Sequence, residues 1–160
     1  MTRIIAIIEA RMASSRLPGK VMLPLGKRRV IDLIVERLRK STKLDNICIA
    51  TTRNDEDKII VDHFQGTEVI VFRGSDWNVF DRVFKAAKKY NAEIIVEITG
   101  DCPFVDPKLV DYMVDLLQNN DLAYIANNFY TSFADGFDIQ VYYLDALEKM
   151  AGMEIGRAHV

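Results

Sequence analysis

Apolar positions along the chain alternate between two rhythms. Short Ile- and Val-rich runs read as strands at Arg3–Glu9, Asn46–Thr52, Glu68–Phe72 and Glu93–Thr99. The first is apolar from Ile4 through Ile8, which suits a strand covered on both faces. Between these runs the apolar residues recur at helical spacing. Val30, Ile31, Ile34, Val35 and Leu38 predict a helix from about Arg29 to Ser41. Ile59, Ile60 and Phe64 predict a second, with Asn54 as its N-cap. Val79, Phe80, Val83, Phe84 and Ala87 predict a third over Asp76–Tyr90, capped by Asp76 and with Trp77 as a packing anchor. Asp106 is expected to cap a fourth, which opens with Pro107 and runs to about Gln118. Leu122–Ala126 and Ile139–Tyr143 read as further strands, and Leu144–Met150 as a last helix. Strands separated by single helices predict an α/β fold: three layers around a mostly parallel, doubly wound sheet. Such sheets bind ligands beyond the carboxyl ends of their strands. The loops at Ala10–Lys20, Thr51–Asn54, Arg73–Asp76 and Gly100–Asp106 all fall at that edge.

A chain of 160 residues is expected to form one domain, here residues 1–153. Its 21 cationic side chains against 23 acidic ones leave a net charge of −2, so any polyanion site is local and no nucleic-acid partner is expected. No apolar run approaches a membrane span, and Met1-Thr2-Arg3 leads straight into a strand; the cytoplasm is the expected compartment. Cys48 and Cys102 have neither zinc spacing nor a disulfide framework. The last seven residues, Glu154–Val160 (EIGRAHV), match one reading frame of a common sequencing adapter. The native chain is therefore expected to continue differently past Met153, and the sheet to be incomplete at its C-terminal end.

The loop Ala10-Arg11-Met12-Ala13-Ser14-Ser15-Arg16-Leu17-Pro18-Gly19-Lys20 carries the strongest chemical signal. Its small residues, Ala10 and Ser14 among them, let backbone N–H groups approach an oxyanion, while Arg11, Arg16 and Lys20 supply the charge. The anion expected is a triphosphate. Gly19-Lys20 is not a Walker A motif, because Ser14 stands where its first glycine belongs and Val21 where Ser or Thr belongs. No G-x-G-x-x-G occurs. Asp101, in a Gly-Asp-Cys-Pro turn, is a candidate Mg²⁺ ligand or a turn stabiliser. Asp138 is a candidate for facing the crevice on the substrate side. Arg82 reads equally as a solvated charge or a ligand, His63 as a surface residue, and Asp55-Glu56-Asp57 as the acidic first turn of a helix.

Four segments together resemble the sugar cytidylyltransferases, the family that activates Kdo and acylneuraminate, and within it the spore-coat polysaccharide F branch. They are ARMASSRLPGKVMLPLG (Ala10–Gly26), ATTRNDED (Ala50–Asp57), VFRGSDWNVFDRV (Val71–Val83) and TGDCPFVDP (Thr99–Pro107), in order over nearly all of residues 1–150. The resemblance implies a Rossmann-like nucleotidyltransferase fold of the nucleotide-diphospho-sugar-transferase kind. It also implies that Arg11, Arg16 and Lys20 hold the CTP phosphates and that Ala10 and Thr51 border the base, with Arg73 and Gly74 close by. Asp101 would hold the catalytic Mg²⁺. Lys27-Arg28-Arg29 replaces the usual Gly-x-Pro and should alter only a turn.

The expected reaction is in-line attack of a sugar hydroxyl on the α-phosphate of CTP, with Arg11, Lys20 and Asp101 catalytic and pyrophosphate leaving. A homodimer is implied for the full-length protein, and this chain by itself is expected to turn over weakly or not at all. The alternatives are a nucleotide-sugar glycosyltransferase, which would show an Asp-x-Asp motif that Gly100-Asp101-Cys102-Pro103 lacks, and a non-catalytic nucleotide- or sugar-binding module.

Overall fold

The structure is a computed structural model describing residues 2–129 and 133–152. The expected boundary at Met153 and the tail Glu154–Val160 lie outside the described residues. The Ile-rich first run forms β1 (Ile4–Glu9), buried throughout except at Glu9. After the basic loop, β2 (Pro24–Leu25) and β3 (Arg28–Arg29) make a small antiparallel hairpin, its turn at Gly26 and Lys27 requiring a φ of 66° at Gly26. The hairpin was not anticipated, and it is where the Lys27-Arg28-Arg29 trio resides. Next come α1 (Val30–Leu38), β4 (Asn46–Thr52), α2 (Lys58–Phe64), β5 (Ile70–Gly74) and α3 (Val79–Lys89). The chain ends its described course with β6 (Ile94–Thr99), α4 (Pro107–Asn119), β7 (Tyr124–Ala126), β8 (Gln140–Tyr143) and α5 (Leu144–Gly152).

Six strands form one sheet in the order β5-β4-β1-β6-β8-β7. The first four run parallel, β8 is antiparallel to β6, and β7 is antiparallel to β8. One face is covered by α1, α2 and α4, whose Ile31, Ile34, Ile60, Val110 and Val114 pack on Ala6, Ile8, Ile49 and Val96. The other is covered by α3 and α5, through Val83, Ala86, Ala87 and Leu147 against Ile5, Ile7, Cys48 and Ile95. The expected three-layer, mostly parallel α/β architecture is present. From β1 the strands step outward to β4 and β5, then return to β6 on the far side of β1, opening a crevice between the ends of β1 and β6. Glu9 is in register with Ala50 and with Thr99, so β1, β4 and β6 finish level at that crevice.

Several boundaries differ from expectation, each for a local reason. β5 begins at Ile70 because Thr67 forms a turn, its hydroxyl donating to Phe64 O (2.8 Å) and accepting from Val69 N (3.2 Å). α1 stops at Leu38; Asp111 of α4 holds Ser41 Oγ and accepts from Thr42 N at 3.0 Å. α3 is capped by Asn78 and not by Asp76: Asn78 Oδ1 accepts from Asp81 N at 2.8 Å. Asn54 makes no side-chain cap, and a 3-10 turn over Asp55–Asp57 precedes α2. Asp106 does cap α4, accepting from Lys108 N at 2.9 Å. Both cysteines are buried and free. No helix among the described residues is long and apolar enough to cross a membrane.

Candidate active site

The basic loop leaves β1 and is pinned at three points. Ala10 N donates to Ala50 O (3.3 Å), Met12 N to Asp57 Oδ1 (2.6 Å), and Gly19 N back to Met12 O (2.8 Å). Gly19 takes a φ of 71°, a conformation side chains resist, and a 3-10 turn over Lys20–Met22 follows. Val21, 1% exposed, sinks into the core and thereby fixes where its neighbour Lys20 projects. Asp57 is wholly buried, holding both Met12 N–H and the Thr52 hydroxyl. It lies in the acidic first turn expected there, a 3-10 turn over Asp55–Asp57 that runs into α2, and its side chain is in addition an internal strut of the loop.

Opposite the loop, Asp101 lies two residues past β6. Lys20 Nζ donates to its Oδ2 at 2.5 Å, across side chains 29% and 47% exposed. Partial burial works to raise the Asp101 carboxyl, but hydrogen bonds from Lys20 and Thr99 and the Lys20 charge prevail and hold it below the ordinary carboxylate value. Gly100 permits the approach of the two strand ends, since a Cβ there would sit 2.6 Å from Glu9 O and 2.9 Å from Val21 Cγ1.

These elements enclose a cleft of about 270 Å³ at the β1–β6 crevice. Ala10, Arg11, Ser14, Arg16, Lys20 and Asp101 line it together, with Glu9, Val79 and Arg82. Thr51, Arg73, Gly74 and Asp138 do not. Thr51 is fully buried, and its Oγ1 has no hydrogen-bond partner among the described residues. Arg73 is committed to its own neighbourhood, donating from Nε to Thr52 O and from Nη2 to Asn54 O, both at 2.9 Å, so it ties off the end of β4. Gly74 makes room for Arg82, whose Cγ would lie 2.9 Å from a Cβ. Asp138 sits with its backbone at the Cys102 thiol, outside the cleft. His63 bonds Asp32 Oδ1 at 2.6 Å, joining α2 to α1.

Two cleft residues had been missed or misread. Arg82 is 2% exposed, donating from Nε to Ala50 O (3.2 Å) and from Nη1 to Ser75 O (2.6 Å). Its place between Val79 and Ala86 on the apolar stripe of α3 was the available signal. Glu9 faces it. Burial first, then the neighbouring Glu97 carboxyl, pushes Glu9 up to about 8, while the Arg82 guanidinium pulls it back. Tyr142 Oη in turn donates to Glu97. Trp77, expected to be a packing anchor, is instead 83% exposed.

A single ionised carboxylate in a cationic cleft suits Mg²⁺, which binds through one or two carboxylates and takes its remaining oxygens from phosphate and water. No group of three His, Cys, Asp or Glu side chains that could hold a metal occurs among the described residues.

The family model described as cytidylyltransferase matches residues 5–144. The chain is 43% identical over 133 residues to the spore coat polysaccharide biosynthesis protein SpsF of Bacillus subtilis, covering 79% of this chain and 55% of that protein. It is 35% identical over 125 residues to the 3-deoxy-manno-octulosonate cytidylyltransferase of Synechococcus elongatus, covering 76% and 50%. Among solved structures, a cytidylyltransferase from Leptospira borgpetersenii superposes with a TM-score of 0.91 at 39% identity, over 98% of this chain and 66% of that one. The chain thus spans a little over half the length of curated relatives such as SpsF.

Proposed function

The chain belongs to the cytidylyltransferase family, and from that premise we propose that its cleft binds CTP for transfer of CMP to a sugar acid, with release of pyrophosphate, in the making of a surface polysaccharide. The observation that carries the reading is the cleft itself: three loop cations and an ionised Asp101, brought from two adjacent strand ends into one space.

In this reading Arg11 and Arg16 bind phosphate oxygens through their planar forks and Lys20 as a point charge. The backbone around Gly19 and the small side chains Ala13 and Ser14 let the phosphates sit close to the chain. Asp101 is the residue that would hold Mg²⁺. When bound, the ion withdraws electron density from the α-phosphate and offsets charge on the departing pyrophosphate. Lys20, which pairs with Asp101 here, would be within the same cleft to meet the phosphate chain. The protein's contribution is positioning and fixed charge, as in other phosphoryl-type transfers. A cytoplasmic location, where CTP is made, and a homodimer belong to the same proposal.

Calorimetric titration with CTP, with and without Mg²⁺, paired with a pyrophosphate-release assay on candidate 3-deoxy sugar acids, tests it. Binding should tighten with Mg²⁺, and in the full-length protein, where turnover is expected, Lys20→Ala or Asp101→Asn should lower it at least about a hundredfold. No CTP binding, or binding and turnover indifferent to both substitutions, refutes the reading.

A further inference from the structure

Trp77 is the sole tryptophan of the chain, and its indole is 83% exposed. Tryptophan is normally among the more buried side chains on average, so an indole left in solvent at a ligand cleft calls for a reason. Its backbone is not loose. Arg11 Nη1 donates to Asp76 O at 3.2 Å, and Arg82 Nη1 donates to Ser75 O at 2.6 Å. Ser75 Oγ accepts from Asn78 N at 3.1 Å, and Asn78 caps α3. The two residues before Trp77 are thus tied to two cleft arginines, and Val79, two residues after it, lines the cleft. The segment between β5 and α3 that carries the exposed indole is thereby fixed beside the cleft.

The cleft interior suits phosphates and presents no aromatic face to a planar heterocycle. No aromatic side chain lines it among the described residues; its apolar lining is Ala10, Ala13, Val21 and Val79. A nucleoside triphosphate whose phosphates lie among Arg11, Arg16 and Lys20 leaves its base outside that interior, and an aromatic face at the rim is what such a base requires. We propose that Trp77 is a binding residue that stacks on the nucleobase of the nucleotide held in this cleft. The inference rests on the reading of the cleft as a nucleoside-triphosphate site. Because every base has a π-face, the contact adds affinity without choosing cytosine over other bases.

The single tryptophan makes the test direct. CTP and UTP should both quench its fluorescence, and inorganic tripolyphosphate, which fills only the cationic interior, should not. In calorimetry, Trp77→Ala should weaken CTP and UTP by about 5- to 150-fold, the range of a lost base–aromatic stack, and leave tripolyphosphate binding unchanged. Trp77→Phe should restore CTP affinity to within about threefold of wild type, since a phenyl face still stacks. Phe104, half exposed beyond Asp101 on the β6 side, is the control, and Phe104→Ala should leave CTP affinity as it is. Undiminished CTP binding by Trp77→Ala overturns the proposal, as does an equal loss of tripolyphosphate or a loss confined to Phe104→Ala. A wild-type protein that binds tripolyphosphate but no nucleotide overturns the nucleotide reading together with the proposal; undiminished CTP binding by Trp77→Ala overturns the proposal alone.

Discussion

Replacing Glu9 with Gln should remove most of the loss of stability that the wild-type protein suffers between mildly acidic and alkaline pH. Glu9 closes β1 beside Thr99, and Glu97 lies on the neighbouring strand opposite Ile7, so the two carboxyls share one face of the sheet. Tyr142 caps the far side of Glu97, and burial with the adjacent carboxyl raises Glu9 from 4.5 to about 8. Between those two values the folded protein keeps a proton that the unfolded chain releases, so stability falls as pH rises through the window and levels above it. At 1.36 kcal/mol per pKa unit the full displacement sets an upper bound of about 5 kcal/mol. Sharing of the proton with Glu97 and access of water from the cleft bring the expected loss to roughly 2–3 kcal/mol. Glutamine keeps a donor toward Glu97 and cannot ionise. Urea unfolding followed by circular dichroism at pH 5, 7 and 9 reads the effect: equal stability at pH 5, and a Glu9→Gln protein more stable by roughly 2–3 kcal/mol at pH 9. Parallel pH profiles for the two proteins, or a variant less stable at pH 9, would refute the reasoning.

Asp57→Ala strands the buried Thr52 hydroxyl and the half-buried Met12 N–H and should cost about 1–3 kcal/mol, seen as a fall in Tm together with weaker CTP binding because the loop loses its strut. An unchanged Tm would contradict the internal role given to Asp57. Gly100→Ala drives a methyl into Glu9 O and Val21 and should cost about 1–3 kcal/mol in chemical denaturation, whereas Gly66→Ala, with nothing within 4 Å of its Cβ, meets only the penalty of a φ of 76°. Lys20→Met removes an ion pair too solvated to matter for folding, so stability should move by less than about 1 kcal/mol, while CTP affinity measured by calorimetry drops at least about tenfold. Equal losses in stability and affinity would mean that Lys20 is structural.

The parallel strands and their crossover helices were legible because their periodicity is local and both faces of the sheet are apolar. The cationic loop was legible for a related reason: anion binding at a strand's carboxyl end uses residues that are also neighbours in sequence. What escaped was the partition of polar side chains between ligand and scaffold, which depends on contacts far apart in the chain. Arg73 and Arg82 illustrate it. Both lie near the same strand end, yet Arg73 is consumed by the carbonyls of Thr52 and Asn54, whereas Arg82 enters the cleft wall from an otherwise apolar helix face. Asp57 and Trp77 show it too: the first-turn acid is also a buried acceptor for Met12 N–H, and the indole expected to pack is exposed on a segment whose backbone is tied to Arg11 and Arg82. The buried polar groups that hold the loop and the exposed aromatic beside it are therefore two sides of one arrangement. A cleft built to position phosphates by charge must anchor its own backbone with internal hydrogen bonds, and the same ties hold the segment that carries the exposed Trp77 beside it.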